Sequence, residues 1–149
     1  MDLHATYTFT APRDQVWDLL MDPAAVSSCV PGCDGFEPVG EDCYAATLTV
    51  AVAAITGTYR GTVTIADKVP TSAFRLIVDG QGRVGFVKGD THITLRTEGT
   101  GTAVEVSAVV EVGGTIARVG QRLLGSVGKM MMDRFFASLQ AKISSATGV

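Results

Sequence analysis

The 149-residue sequence has two histidines and three cysteines, scattered too widely to supply the tight Cys/His pairs that a structural zinc site requires. Its twelve Lys and Arg are outnumbered by fifteen Asp and Glu, and a net charge of −3 offers no field to gather a phosphate backbone, so nucleic acid is not expected as a partner. Apolar runs are broken every few residues by Thr, Gly or charge, and nothing approaches the roughly 20 apolar residues of a membrane-spanning helix. The opening stretch, MDLHATYTFTAPRD, is acidic at residue two and alternates in polarity, unlike a secretory signal. Internal repeats and linkers are also missing. The expectation is one cytoplasmic domain over residues 1–143, with free thiols, followed by a loose tail at 144–149, SSATGV.

What is present begins with CVPGC at residues 29–33. A thioredoxin-like pair is one residue closer and opens a helix, where the thiolate is stabilised. Here Pro31 and Gly32 follow a helical stretch and end it, so the segment reads as a turn whose cysteines act as small apolar groups.

Residues 2–10 alternate, with Leu3, Ala5, Tyr7 and Phe9 on one face, the signature of a half-buried strand. Pro12 then suits a first helical turn, Val16, Trp17, Leu19 and Leu20 follow at helical spacing, and Asp22-Pro23 opens a second short helix. From 35 to 112 the period is two: Tyr44, Ala46, Leu48 and Val50 share a face, as do Tyr59, Val63 and Ile65, Phe74, Leu76 and Val78, and Val104, Val106, Val110 and Val112. The separators GED, DKVPTSA, DGQG and TEGTG suit hairpin turns in an antiparallel meander. The last segment, 115–143, has apolar residues at three- and four-residue intervals and reads as one long amphipathic helix, although Gly120, Gly125 and Gly128 lie within it as sites of close packing or a soft joint.

These elements bury their apolar faces if a curved antiparallel sheet of about seven strands wraps the terminal helix, with two short helices after strand one: an α+β helix-grip fold. Space between sheet and helix is where such a fold holds a ligand. Gly57, Gly61, Gly85 and Gly89 punctuate the strands, either leaving room or simply bending the sheet.

The stretches VWDLLMDPAAVSSCVPGCDGFEPVGEDCYAATLTV, GFVKGDTHITL and VEVGGTIARVGQRLL, with the later FF, resemble the carbon monoxide dehydrogenase G-subunit family, within the START-like, Bet v 1-like and polyketide-cyclase-like helix-grip proteins. The resemblance covers residues 1 to about 143. It implies a non-catalytic protein that works beside a molybdenum-containing CO dehydrogenase or related hydroxylase, linking it to the inner face of the cytoplasmic membrane and to the quinone pool. No cofactor is implied; a quinone or lipid would be the ligand, since enclosing its tail gains about 25 cal/mol per Å² of apolar surface. The residues expected against it are Leu48, Val50, Tyr59, Val63, Leu76, Phe86 and Val87 on the sheet and Leu123, Leu124, Val127, Met131 and Phe135 on the helix, gated by Pro31-Gly32 and the Gly85–Gly89 segment.

Two other readings stand beside this one. A cyclase- or hydrolase-type enzyme needs an acid–base group in the cavity; Lys88, Asp90 and His92, with Arg60 on another strand, are the candidates. Alternation sets Lys88, Asp90, His92 and Arg96 together on a face most simply read as solvated, and no Ser-His-Asp set, carboxylate pair or phosphate loop is visible. A ligand-free docking module is the third reading: Arg118, Arg122, Lys129, Arg134 and Lys142 against Asp133 make residues 115–143 carry +4 within a protein of −3.

Overall fold

The computed structural model describes residues 1–52 and 55–147, with side chains placed through residue 144. Strand β1 (Asp2–Phe9) is followed by helices α1 (Arg13–Leu20) and α2 (Pro23–Cys29), then by β2 (Cys33–Gly40), β3 (Cys43–Val50), β4 (Gly57–Val69), β5 (Ala73–Gly82), β6 (Gly85–Glu98) and β7 (Gly101–Gly113). A short 3-10 turn, Thr115–Val119, leads to helix α3 (Gln121–Thr147). The seven strands form one antiparallel sheet in the order β1-β7-β6-β5-β4-β3-β2, so β1 and β2 are its edges and α1–α2 carry the chain from one edge to the other. This is the helix-grip architecture expected. Among the described residues no helix is long and apolar enough to cross a membrane.

Local chemistry explains the boundaries. Pro12 occupies the N-cap of α1, and the Asp22 side chain accepts a hydrogen bond from the Ala24 N–H at 3.1 Å, capping α2 with Pro23 at its first position. The CVPGC turn is observed: Gly32 has φ +76°, and a Cβ there would lie 2.1 Å from the Thr49 carbonyl oxygen, so only glycine lets the turn rest against β3. Cys29 is buried in the core and Cys33 half-buried, both as free thiols.

Three expectations change. DGQG, expected to separate two strands, is the end of β5; the turn is Arg83–Val84, between Gly82 and Gly85, which pair across the hairpin. The terminal helix does not begin at 115: Gly120, at φ +92°, separates the 3-10 turn from α3. The helix then continues through Thr147, so residues 144–147 extend it instead of forming a tail, while Gly148 and Val149 lie outside the described residues. Within α3, Gly128 marks a close approach, because a Cβ there would sit 2.9 Å from Leu3 Cδ1 on β1.

Apolar side chains of the concave face gather in two clusters. The larger unites Phe9, Val16, Trp17, Leu20, Phe74, Ile93, Leu95 and Val104 with Phe136, Leu139 and Ile143 of α3. Leu139, Ile143, Val16 and Val104 are wholly buried, and truncating such residues to alanine removes about 2–5 kcal/mol for Leu or Ile. The smaller cluster, around Ile55, Ile116 and Val127, closes the opposite end of the molecule with Val52, Val84, Val119 and Leu124.

Candidate ligand cavity and family membership

Between the two clusters the floor of the sheet is bare. Register places Ala46, Gly61, Gly80 and Val87 in one row across β3–β6, and Tyr44, Val63, Val78, Gly89 and Val110 in the next row across β3–β7. A Cβ added at Gly80 would meet only the Val87 carbonyl oxygen, at 3.9 Å, and one at Gly89 only Val78 Cβ, at 3.9 Å. No atom of α3 comes within 4 Å of either added Cβ. Gly61 is the opposite case: its Cβ would fall 1.9 Å from the Asp79 carbonyl oxygen, so β4 and β5 approach too closely there for any side chain. The strand glycines thus split between the two readings, some leaving room and one bending the sheet.

Beside this floor is a cavity of about 60 Å³. Val63, Ile65, Phe74, Leu76 and Ile93 of the sheet, Leu20, Met21, Pro23 and Val26 of the α1–α2 segment, Phe36 and Tyr44 near the β2 edge, and Phe135 of α3 line it. Phe36 and Tyr44 stack at 4.7 Å between centroids. Met21, Pro23, Val26, Phe36, Tyr44 and Phe135 are half-exposed, as are Val63, Ile65 and Leu76 of the sheet. The lining carries no carboxylate, imidazole or cation. A drug-sized ligand needs roughly 300–1,000 Å³, so the present shape is a closed one.

Of the residues expected at a ligand, Val63, Leu76 and Phe135 line this cavity. Val50, Tyr59, Val87, Leu124, Val127 and Met131 instead pack in the smaller cluster, where the Tyr59 hydroxyl donates to the Ile55 carbonyl at 2.7 Å. Burial raises the Tyr59 phenol's pKa above its ordinary value. Leu48 is on the concave face opposite Tyr59, half-exposed. Phe86 and Leu123 are elsewhere. Phe86 shares the parity of Lys88, so its ring lies on the convex face over Gly113, with Lys88 Nζ 5.7 Å from its centroid. Leu123 is 36% exposed. The Gly85–Gly89 gate is also corrected: the segment is paired strand, held between β5 and β7. Sequence reading missed Ile65, Phe74 and Ile93 of the sheet, the α1–α2 residues, Phe36 and Tyr44; for the α1–α2 residues the only available signal was that two short helices had to pack somewhere across the sheet.

The polar candidates are on the convex face. Asp90 accepts from Arg75 Nε at 3.1 Å and Nη2 at 2.5 Å, and those hydrogen bonds hold its carboxyl below the usual range. His92 is exposed, 3.8 Å from Asp90, and Arg96 pairs with Glu98 and Glu105. Lys88 and Arg60 are exposed on the same face. A second polar group fastens α3 to β1: the Tyr7 hydroxyl donates to Asp133 Oδ1 at 2.7 Å, Lys129 donates to the same oxygen at 2.6 Å, and Tyr7 stacks on Phe136. Desolvation, then the bond to Asp133, lifts the Tyr7 phenol well above its ordinary pKa, while Lys129 and then Tyr7 hold Asp133 low.

Comparisons with known proteins agree with this geometry. A conserved protein from Geobacillus kaustophilus is 33% identical, with a TM-score of 0.94 over 98% of this chain and 97% of its own. A START superfamily protein from Mycobacterium smegmatis matches at 12% identity and TM-score 0.79 over 98% and 99% of the two chains. Ara h 8.0201 matches at 13% and 0.73 over 97% and 98%. These last two show the fold alone, which is START-like and Bet v 1-like. A comparison with curated proteins found no match. The profile of the carbon monoxide dehydrogenase G-subunit (CoxG) family matches residues 6–144, and the chain belongs to that family.

Proposed function

We propose that this protein binds an apolar small molecule, an isoprenoid quinone or a lipid, between its sheet and α3 without catalysing a reaction on it. It serves a molybdenum-containing CO dehydrogenase-type oxidoreductase at the inner face of the cytoplasmic membrane. The observation that carries the reading is the room left at Gly80 and Gly89 on the concave face, whose rows also hold Val63 and Tyr44 of the apolar cavity lining. A domain with nothing to bind gains stability by filling such a floor, because packing density near that of crystals is the norm. Family membership supports the choice of partner, and a cavity lining with no carboxylate, imidazole, thiol or amine, and Tyr44 as its one titratable side chain, supports carriage over chemistry.

Binding has to enlarge a cavity of about 60 Å³. The half-exposed lining supplies the means: α2 is a seven-residue helix, and Phe36, Tyr44 and Phe135 are side chains that swing without breaking the sheet. The test uses Trp17, the sole tryptophan, which packs edge-on against the cavity residue Phe74 at 5.5 Å. Titration with a short-tailed ubiquinone or menaquinone is expected to quench its fluorescence saturably, at one quinone per chain. Quenching that rises linearly with quinone, as for free tryptophan in solution, would defeat the proposal.

A further inference from the structure

Polar side chains are few on the concave face of the strands, and most are engaged. The Tyr7 hydroxyl donates to Asp133, the Tyr59 hydroxyl to the Ile55 carbonyl, and the Thr102 hydroxyl to the Ala11 carbonyl at 2.8 Å. Two half-buried hydroxyls on this face, those of Tyr44 and Thr91, make no hydrogen bond to a described residue. Tyr44 is stacked on Phe36 near the sheet edge, and its hydroxyl adds to the field with which Asp42, chiefly, raises the pKa of the exposed Lys68, so it belongs to the rim. Thr91 is farther in. Alternation along β6 puts it on the side of the buried Ile93 and Leu95, and register sets it between Leu76 of β5 and Ala108 of β7. Leu76 and Ile93 line the cavity. The next residue along β6 on this face is Gly89, where an added Cβ would meet only Val78, at 3.9 Å. No wholly buried side-chain oxygen or nitrogen lacks a partner among the described residues, so the unpartnered hydroxyl of the half-buried Thr91 borders open space.

Packing alone does not call for threonine at this place. Valine has the same branched shape, forms strands as well, and would match the apolar Leu76, Ala108 and Ile93 with no hydroxyl to satisfy. A hydroxyl in such surroundings is of use when a polar atom reaches it, since it donates to a carbonyl and accepts from another hydroxyl. The adjoining cavity lining has no cation to hold a phosphate or a carboxylate. The group that fits is neutral, bears oxygen, and is set on an apolar body.

We propose that Thr91 fixes the head of the cargo, its hydroxyl bonding a neutral carbonyl or hydroxyl oxygen beside Gly89, and that the site thereby selects a quinone or quinol over a fatty acid, a phospholipid or a plain hydrocarbon. The proposal rests on the carrier reading above and narrows it to one class of ligand.

The test pairs two probes of one shape: a menaquinone with a single isoprene unit, and 2-methyl-3-prenylnaphthalene, the same skeleton without the carbonyl oxygens. Trp17 quenching reads the quinone directly and the hydrocarbon by competition, on the whole chain. T91V is expected to bind the quinone about fivefold more weakly, equivalent to the about 1 kcal/mol of a neutral hydrogen bond, and to bind the hydrocarbon as the parent does. T91S keeps the hydroxyl and is expected to keep the parent's preference for the quinone. In infrared spectra a carbonyl stretch of the bound quinone is expected at lower frequency in the parent and T91S than in T91V, a difference that a purely structural role would not produce. Oleate is expected to displace the quinone poorly from the parent. Thermal unfolding of each variant controls for folding. A parent that takes up neither probe refutes the carrier reading, and this proposal with it. A parent that takes up both, with a T91V that keeps the parent's preference for the quinone or loses both probes equally, refutes the anchor alone.

Discussion

Gly61 and Gly80 face each other across β4 and β5, yet opposite consequences follow from giving each a side chain. At Gly61 a methyl group would lie 1.9 Å from the Asp79 carbonyl oxygen and 2.6 Å from the Gly80 Cα, both backbone, so the strands must part; overpacking of this kind costs about 1–3 kcal/mol. At Gly80 the methyl group has one neighbour, at an ordinary 3.9 Å, and replacing strand glycine by alanine recovers about 0.5–1 kcal/mol of conformational entropy. That entropy gain is common to both variants, so G61A and G80A should differ by the overpacking cost alone, about 1–3 kcal/mol, which for a chain of this size separates their melting temperatures by at least about 2 °C. The larger variant G80L carries the contrast into function. Its side chain would stand on the floor and exclude roughly 60 Å² of ligand contact, which at about 25 cal/mol per Å² is 1.5 kcal/mol, or about tenfold in affinity. Thermal unfolding and the quinone titration measure both quantities on the same preparations. Identical melting of G61A and G80A, or a folded G80L that binds quinone as tightly as the parent, would refute this reading of the floor.

Other predictions follow from particular contacts. F135A should weaken quinone binding by removing a cavity wall, whereas F86A should leave binding unchanged while lowering the melting temperature, because Phe86 covers Gly113 on the far side of the sheet; equal effects on binding would contradict the assignment of faces. Asp133 has a folded pKa below its unfolded value through its bonds to Lys129 and Tyr7, so its contribution to stability is present above the unfolded carboxylate value near 4 and fades as pH falls through the lower folded one. Urea midpoints measured from neutral to acid pH should accordingly fall less steeply in D133N than in the parent, and parallel curves would dismiss the latch. D22A removes the side-chain cap of α2 and should cost about 0.5–2 kcal/mol in urea unfolding, with no loss expected if the cap bond to Ala24 is not formed in solution.

Alternation carried most of the fold. Period two in Tyr44–Val50, Tyr59–Ile65 and Phe74–Val78 identified strands whose inward residues are those observed, because a half-buried strand leaves no choice of face. The same rule, applied consistently, would have excluded Phe86: it and Val87 cannot both face inward, and Val87 has the parity of the buried Ile93 and Leu95. DGQG misled because a bent strand uses glycine for close approach as readily as a turn uses it for conformational freedom. Gly61, facing Gly80, needs glycine for contact with a neighbouring backbone that sequence does not display. Gly120 was legible as a joint but not as the start of α3, since Ile116 and Val119 keep helical spacing across it. The cavity wall was the least legible part. Met21, Pro23, Val26, Phe36 and Tyr44 converge only after α1–α2 cross from β1 to β2, a tertiary event with no local pattern.

Whether the space above Gly80 and Gly89 houses an apolar molecule is addressed most directly by solvent extraction of protein purified without detergent. Mass spectrometry of the extract is followed by reloading of the stripped chain with an isoprenoid quinone. One quinone or lipid per chain is expected, with recovery of that ratio on reloading. An extract free of apolar small molecules, from a chain that also fails to take up quinone, would contradict a carrier role.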